Sequence, residues 1–130
     1  MKKFISLGLA VLILAATTCA AYAANARYAH IRQFTFDGEV NATSVYGETY
    51  VVLGGSYSSE TVITLERSSD GGRTYRNYRN LESKTSSKTY YSASGEASGL
   101  STSYDYRLKA EVYVYDEDGD EIDYAYDYIY

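Results

Sequence analysis

The sequence predicts an all-β fold, an antiparallel β-sandwich of about seven to eight strands, and three observations indicate it. The chain beyond residue 26 is rich in Ser, Thr, Tyr, Val and Gly, which suit pleated strands and tight turns. Turn signals that contain glycine recur at short intervals, as they do in sandwiches of short strands. No stretch combines a 3.6-residue apolar period with good helix formers, so no helix is expected there.

Strands are predicted in the segments that separate these turn signals. The signals are Asp37-Gly38, Gly47, Gly54-Gly55, Asp70-Gly71-Gly72, Gly95, Gly99 and Asp118-Gly119. The predicted strands cover residues 30–36, 39–46, 49–58, 60–68, 73–80, 86–95, 102–116 and 120–130.

The last two predicted strands alternate most clearly, and the turn between them sets which residues face each other. A three-residue loop, Glu117-Asp118-Gly119, places Gly119 at the left-handed position of a type I turn with a bulge. This loop would set Val112 opposite Tyr124 and Lys109 opposite Asp127, burying most C-terminal tyrosines. A two-residue turn at Asp118-Gly119 would instead send them to solvent. We predict the three-residue loop, because it pairs apolar with apolar residues and opposite charges with each other.

Residues 1–26 have the layout of a secretory signal peptide, with a basic start, the apolar run 4–16 and then small residues. Cleavage is expected after Ala23 or after Ala26, since both sites carry Ala at −1 and −3. Cys19 does not follow the residues of a lipoprotein signal and is expected to leave with the peptide. The apolar run is shorter than the roughly 20 residues of a membrane span. We therefore expect a secreted protein with a single domain at 27–130 and no membrane span.

The predicted mature chain is acidic, and its excess of negative charge lies in the C-terminal segment. Without Lys2 and Lys3, 10 of the 12 basic residues stand beside 17 acidic ones, a net charge of −7. From Asp105 onward nine acids and two bases also give −7. This balance argues against nucleic acid or an anionic membrane surface as a partner.

One basic stretch, residues 73–79, interleaves arginines with aromatic residues, a pattern that also occurs in proteins that bind single strands. The acids close by in the sequence are Glu66, Asp70 and Glu82. They favour the interpretation that the arginines are solvated charges on a strand.

The segment 68–75 fits the Asp-box pattern Ser-x-Asp-x-Gly-x-Thr-aromatic. The matching residues are Ser68, Asp70, Gly72, Thr74 and Tyr75. In such a turn the Ser and Asp side chains bond backbone amides, Gly relieves the tight bend and the aromatic ring packs under it. The pattern resembles the box of sialidase-type propellers, but a propeller needs several blades and this chain has one box. A structural hairpin is therefore expected, without sialidase activity.

The acidic segment 116–121 invites a calcium interpretation, with Asp116, Asp118 and Asp120 as candidate ligands. An EF-hand loop needs Gly at position 6 and Glu at position 12. Here Gly119 is fourth in the run and the twelfth residue is Asp127, so an ordinary acidic hairpin turn is favoured.

Catalytic and cofactor signals are weak. His30 is the only histidine, which leaves too few ligands for zinc and a poor basis for a catalytic triad near the chain start. No glycine-rich phosphate loop opens a helix. No catalytic residue and no cofactor is predicted, and an enzyme is not expected. Paired carboxylates keep a small hydrolase as an alternative.

The 17 tyrosines allow a structural and a functional interpretation. Exposed tyrosines stack on sugar rings, whereas tyrosines with a period of two on strands pack across the sheet. The candidate binding surface consists of Tyr113, Tyr115, Tyr75, Tyr78 and Arg76. Its predicted partner is a glycan, cell wall or protein. The oligomeric state is left open, because long edge strands also pair between chains.

Three features in order carry a resemblance over residues 60–130. They are the strand 63–66 leading into the turn 70–72, the strand 104–110, and an acidic turn before a tyrosine-rich final strand. This layout resembles small secreted all-β proteins of unknown function from Gram-positive bacteria. Immunoglobulin-like and fibronectin-like modules share its style. The resemblance implies such a sandwich and transfers no catalytic residues.

The sequence thus favours a secreted, non-enzymatic β-sandwich that acts as an extracellular binding or adhesion module. One alternative hypothesis is a secreted bacteriocin-like or effector protein. The other is a small hydrolase that depends on carboxylates.

Overall fold

The computed structural model describes residues 28–130 and confirms the all-β prediction. It has seven antiparallel strands in two sheets, and residues 28–130 contain no helix. The strands are β1 (Ile31–Val40), β2 (Val45–Leu53), β3 (Ser58–Ser68), β4 (Arg76–Ser86), β5 (Tyr90–Ala97), β6 (Asp105–Tyr115) and β7 (Glu121–Ile129). The predicted signal peptide, both cleavage sites and Cys19 lie outside the described residues. Across the described range, no helix is long and apolar enough to span a membrane.

The strands form a three-stranded sheet with the order β1-β2-β5 and a four-stranded sheet with the order β4-β3-β6-β7. Strand β1 lies against β7, and β4 lies against β5, so the two sheets meet along both edges. The core between the sheets is formed by side chains that alternate along the strands with accessible ones. In β2 and β6, every second residue is buried while those between remain at least partly accessible. The buried side chains are mostly Val, Leu, Ile and Ala, as expected for facing inner surfaces.

The core also contains the hydroxyl group of Tyr91, which has hydrogen-bond partners there. Its buried phenol oxygen lies 2.8 Å from the hydroxyls of both Ser59 and Thr61, which face it from the other sheet. Polar side chains can be buried here because each has a hydrogen-bond partner.

The turn that we predicted at Asp37-Gly38 was wrong, since both residues lie inside β1. Gly38 pairs with Gly47 across the sheet. A Cβ atom on Gly47 would lie 2.7 Å from the Phe36 ring, so this glycine makes room for a core aromatic rather than bending the chain. The chain reverses at residues 41–44, where the Asn41 amide donates to the Ser44 carbonyl at 2.8 Å. The three strands predicted at residues 30–36, 39–46 and 49–58 are therefore two, β1 and β2.

The register that we predicted for the last hairpin was also wrong, although its turn has the expected form. The Asp116 amide donates to the Asp120 carbonyl at 3.0 Å, and Gly119 has a φ of +84°. However, Tyr115 pairs with Glu121 and Val114 pairs with Asp123, which leaves Ile122 as an extra residue in a bulge.

This bulge shifts all later pairs by one residue. Val112 lies opposite Ala125 and not Tyr124, and Lys109 lies opposite Tyr128 and not Asp127. Because side chains alternate with period two, the shift moves the tyrosines of β7 to the outer face.

Candidate functional site

The outer face of the four-stranded sheet carries a continuous row of six tyrosines. Tyr113 of β6 contacts Tyr124 of β7, with ring centroids 5.1 Å apart. Along β7 and one residue past its end, the rings of Tyr124, Tyr126, Tyr128 and Tyr130 follow at centroid distances of 5.8, 5.8 and 6.2 Å. At the far end the Tyr75 ring lies 6.1 Å from that of Tyr130. We call these six residues the tyrosine row.

The tyrosine row is long and partly open to solvent. The portion from Tyr124 to Tyr130 spans about 20 Å at the usual rise of a strand. Tyr126 is 51% exposed and Tyr130 is 71% exposed, whereas the other four members are half-buried. Neighbouring rings are tilted or edge-on to each other, so the row is packed in itself and presents ring edges, faces and hydroxyls together.

Charged residues of β3 and β6 order one end of the row. The Arg107 guanidinium lies 4.3 Å from the Tyr75 ring centroid and 4.2 Å from that of Tyr128. It also makes an ion pair with Glu66 at 2.5 Å and donates to the Tyr130 hydroxyl at 3.2 Å. Because Glu66 is buried, this pair fixes the cation between the rings and orders them.

A carboxylate orders the other end. Glu111 accepts hydrogen bonds from the Tyr124 hydroxyl at 2.6 Å and from the Tyr113 hydroxyl at 2.8 Å, and Lys109 lies 3.5 Å away. Burial raises the pKa of Glu111, but the hydrogen bonds from the two phenols and the Lys109 charge outweigh it and lower the pKa overall. Burial, followed by the bond to Glu111, raises the pKa of Tyr113 to about 12 and also raises the pKa of Tyr124. Both phenols therefore stay protonated at neutral pH and act as donors.

The turn between β3 and β4 has the hydrogen bonds of an Asp box. The Ser68 hydroxyl donates to Asp70 at 2.6 Å and accepts from the Gly72 amide at 2.9 Å. Asp70 also accepts from the amides of Arg73 and Thr74 at 3.1 and 2.9 Å and from the Thr74 hydroxyl. The bonds from the Ser68 and Thr74 hydroxyls hold the pKa of Asp70 well below its usual range. The turn thus delivers Tyr75 to the end of the tyrosine row.

A cleft of about 430 Å³ opens where the row meets this turn. Tyr75 and Tyr130 line it from the row, and Tyr104 and Asp105 line it from the start of β6. Asn41 contributes from the β1–β2 turn. The row therefore ends in a concave site with aromatic and polar walls.

The structure divides the residues that we had predicted as a binding surface. Tyr113 and Tyr75 belong to opposite ends of the tyrosine row, whereas Tyr115 makes no ring contact with it and pairs with Ser58 and Glu121. Tyr78 and Arg76 lie elsewhere. The Tyr78 ring packs under Arg67, and Arg76 pairs with Arg67 across the β3–β4 ladder.

The acidic turn does not assemble a ligand set. The Asp116 carboxylate accepts from the amides of Asp118 and Asp120, each at 2.9 Å, which is the bonding of a turn. Residues 28–130 contain no group of three or more His, Cys, Asp or Glu side chains that could hold a metal ion.

Sequence reasoning missed Tyr124, Tyr126, Tyr128 and Tyr130 as surface residues. Their alternation suits either face, and only the register decides between them. A usable signal was the size of Ala125, which is 1% exposed opposite Val112 and sits where a tyrosine would overfill the core. The comparisons add no further assignment: no protein-family model matches the chain, and no curated protein matches its sequence.

Proposed function

We propose that this protein is a secreted, non-enzymatic β-sandwich that binds polysaccharide or cell wall through the tyrosine row. The observation that carries the proposal is the continuity of six tyrosines on one sheet face, ending in an aromatic cleft. An extended polymer matches a row of this length better than a compact ligand does.

The chemistry of the row suits sugar rings. Aromatic faces and edges pack against the apolar faces of pyranoses, while phenols and carboxylates meet their hydroxyls. Arg107 and Glu111 hold the row in place before any ligand arrives, so little side-chain freedom is lost on binding. A preordered surface of this kind favours binding.

The strand order supports an immunoglobulin-like or fibronectin-like relationship for the fold. The orders β1-β2-β5 and β3-β6-β7 match strands A-B-E and C-F-G of an immunoglobulin constant domain, and only β4 differs, because it pairs with β3 and not with β5. In such domains a tyrosine near the start of the sixth strand bonds backbone upstream. The Tyr106 hydroxyl donates to the Ser101 carbonyl at 2.8 Å in this way. With the signal peptide predicted at residues 1–26, these features support an extracellular adhesion or recognition module.

The test is a pull-down of protein produced from the full chain with insoluble polysaccharides and bacterial cell walls. The variant Tyr126→Ala/Tyr130→Ala removes the two most exposed members of the row, whose loss leaves the core intact. We expect wild-type protein to be retained on at least one matrix and the variant to lose most of that retention.

The matched control is Tyr90→Ala, which removes a tyrosine that is 63% exposed on the other sheet. It should bind like wild-type protein. An equal loss of retention in Tyr90→Ala would show that the binding site is not the tyrosine row. Failure of wild-type protein to be retained on any matrix would contradict glycan or wall binding.

The hydrolase alternative has one observation in its favour. A concave surface of about 460 Å³ on the three-stranded sheet is lined by Glu39 and Glu96, on strands either side of Tyr46. Glycoside hydrolysis uses two carboxylates of this kind. Release of soluble sugar from the same matrices, abolished in Glu39→Gln or Glu96→Gln, would establish it in place of simple binding.

A further inference from the structure

Three arginines lie close together where β3 ends and β4 begins. We call Arg67, Arg76 and Arg79 the arginine cluster. Arg67 and Arg76 are direct cross-strand partners, an arrangement of like charges that destabilises a sheet. Arg67 and Arg79 also share one aromatic ring, with their guanidinium carbons 4.1 and 5.2 Å from the Tyr78 centroid. The cluster therefore concentrates positive charge on a protein whose net charge is −5.

The acids that neutralise this stretch in the sequence are engaged elsewhere in the structure. Glu66 pairs with Arg107, and Asp70 is surrounded by the donors of its turn. Glu82 accepts from the Ser83 amide at 3.0 Å. The ion pairs among residues 28–130 join Arg107 to Glu66 and Lys109 to Glu111, and neither includes the cluster. The cluster thus lacks a protein counter-ion within the described chain.

The guanidinium group of Arg67 is fixed by neighbouring rings in a position where it can bind a ligand. Its guanidinium carbon lies between two rings, 4.1 Å from the Tyr78 centroid and 4.3 Å from the Tyr104 centroid. The side chain is half-buried, yet no buried nitrogen in residues 28–130 is without a hydrogen-bond partner, so its unbonded N–H groups reach the surface. A planar guanidinium that is fixed in place and open to solvent suits two-point binding of carboxylate, sulfate or phosphate.

We propose that the arginine cluster binds the anionic groups of a glycan, namely uronate, sulfate or phosphate groups, beside Tyr78 and Tyr104. The polymer class rests on the proposed function, but the site is separate from the tyrosine row. A glycan whose anionic groups are spaced apart can be bound by only a few cationic side chains of the protein. A nucleic acid carries a charge at every nucleotide and would be repelled by the acidic remainder of the protein.

The test measures affinity of protein from the full chain for four soluble probes: polygalacturonate, dextran sulfate, poly(glycerol phosphate) and neutral dextran. Comparison of the first three identifies the anionic group. The variant Arg76→Gln/Arg79→Gln removes two exposed cations, and we expect it to weaken binding of the preferred probe about tenfold or more. Wild-type binding should also weaken as salt is raised.

The matched control is Lys88→Gln, which removes one exposed positive charge beyond the far end of β4 and should leave affinity unchanged. Equal loss in Lys88→Gln, equal binding of neutral dextran, or failure of all three anionic probes would overturn the proposal. Tighter binding of a single-stranded oligothymidylate would overturn the glycan assignment. Wall retention that depends on Tyr126 and Tyr130 but not on the arginines would refute this site while leaving the proposed function standing.

Discussion

Glu111 is the residue on which one end of the tyrosine row depends, because a single carboxylate accepts bonds from two phenols. Each bond is charge-assisted, and each phenol orients a ring that its neighbours pack against. Tyr113 and Tyr124 therefore stabilise the surface through their hydroxyls as well as through their rings.

The double variant Tyr113→Phe/Tyr124→Phe should lower the free energy of unfolding at pH 7 by roughly 1 kcal/mol for each lost bond.

The stability of the wild-type protein should also fall above pH 10. Both phenols have a folded pKa raised above the unfolded value of 10.0, so their stabilisation is complete below pH 10 and declines above it. The contribution of Tyr113 is lost as pH rises through about 12. Denaturant unfolding between pH 7 and pH 12 measures both effects.

In the double variant that alkaline loss should be smaller, because its two phenylalanines do not titrate. Tyr90→Phe is the control, since the Tyr90 hydroxyl lies on the exposed face of the other sheet and is remote from Glu111. A double variant with the same pH profile as wild-type protein would contradict this role of Glu111.

At the scale of elements, the β6–β7 hairpin owes its form to two irregularities. Gly119 closes the turn with a left-handed backbone, and the bulge at Ile122 then rotates the rest of β7 by one residue. The rotation buries Ala125 opposite Val112 and places the half-buried Ile129 opposite Leu108. It also sets the tyrosines beside the charged residues of β6, where cation–π contacts and hydrogen bonds are available.

Gly119→Ala should cost about 1–2 kcal/mol of stability, because an L side chain is strained at a φ of +84° although no atom crowds it. Gly119→Asn should cost less, since Asn tolerates the left-handed region. Chemical denaturation measures the difference.

Gly54→Ala is the matched control for this turn. Gly54 has no positive φ, and an added Cβ would meet its neighbours at 3.4 Å or more, so its effect should stay within about 0.5 kcal/mol. Equal costs at Gly54 and Gly119 would show that the left-handed backbone is not what requires glycine in the β6–β7 turn.

At the scale of the whole molecule, the topology joins strands that are distant in sequence. Strand β2 pairs with β5 along a ladder that begins at Val45 and Ala97, and β3 pairs with β6. Such non-local pairing makes folding slow, in the range of milliseconds to seconds for sandwiches. The chain contains no proline, so prolyl isomerisation cannot add a slower phase.

We therefore expect refolding to lack the phase of tens to hundreds of seconds that proline isomerisation produces. Stopped-flow refolding after short and long periods of unfolding measures this directly. The amplitudes should be independent of the unfolding time, and a slow phase that grows with that time would contradict the expectation.

Much of the fold follows from local patterns, and the candidate site follows only in part. Alternation in β6 and the Ser68–Tyr75 turn are visible in the sequence because strand period and turn chemistry are local. Tyr113 and Tyr75 were predicted as surface residues, but their connection through β7 was not. Gly38 and Gly47 were misread as turn residues, since the close approach that requires them involves Phe36 and a neighbouring strand.

The sequence by itself determined the all-β class, the short strands and the left-handed glycine of the last turn. Tertiary structure decided which face of β7 meets the core, because one bulged residue reverses that choice and its energy lies in packing Ala125 against Val112. It also decided which charges remain without partners. Glu66, a neighbour of Arg67 in the sequence, points to the opposite face of β3 and pairs with Arg107, since successive side chains on a strand point in opposite directions.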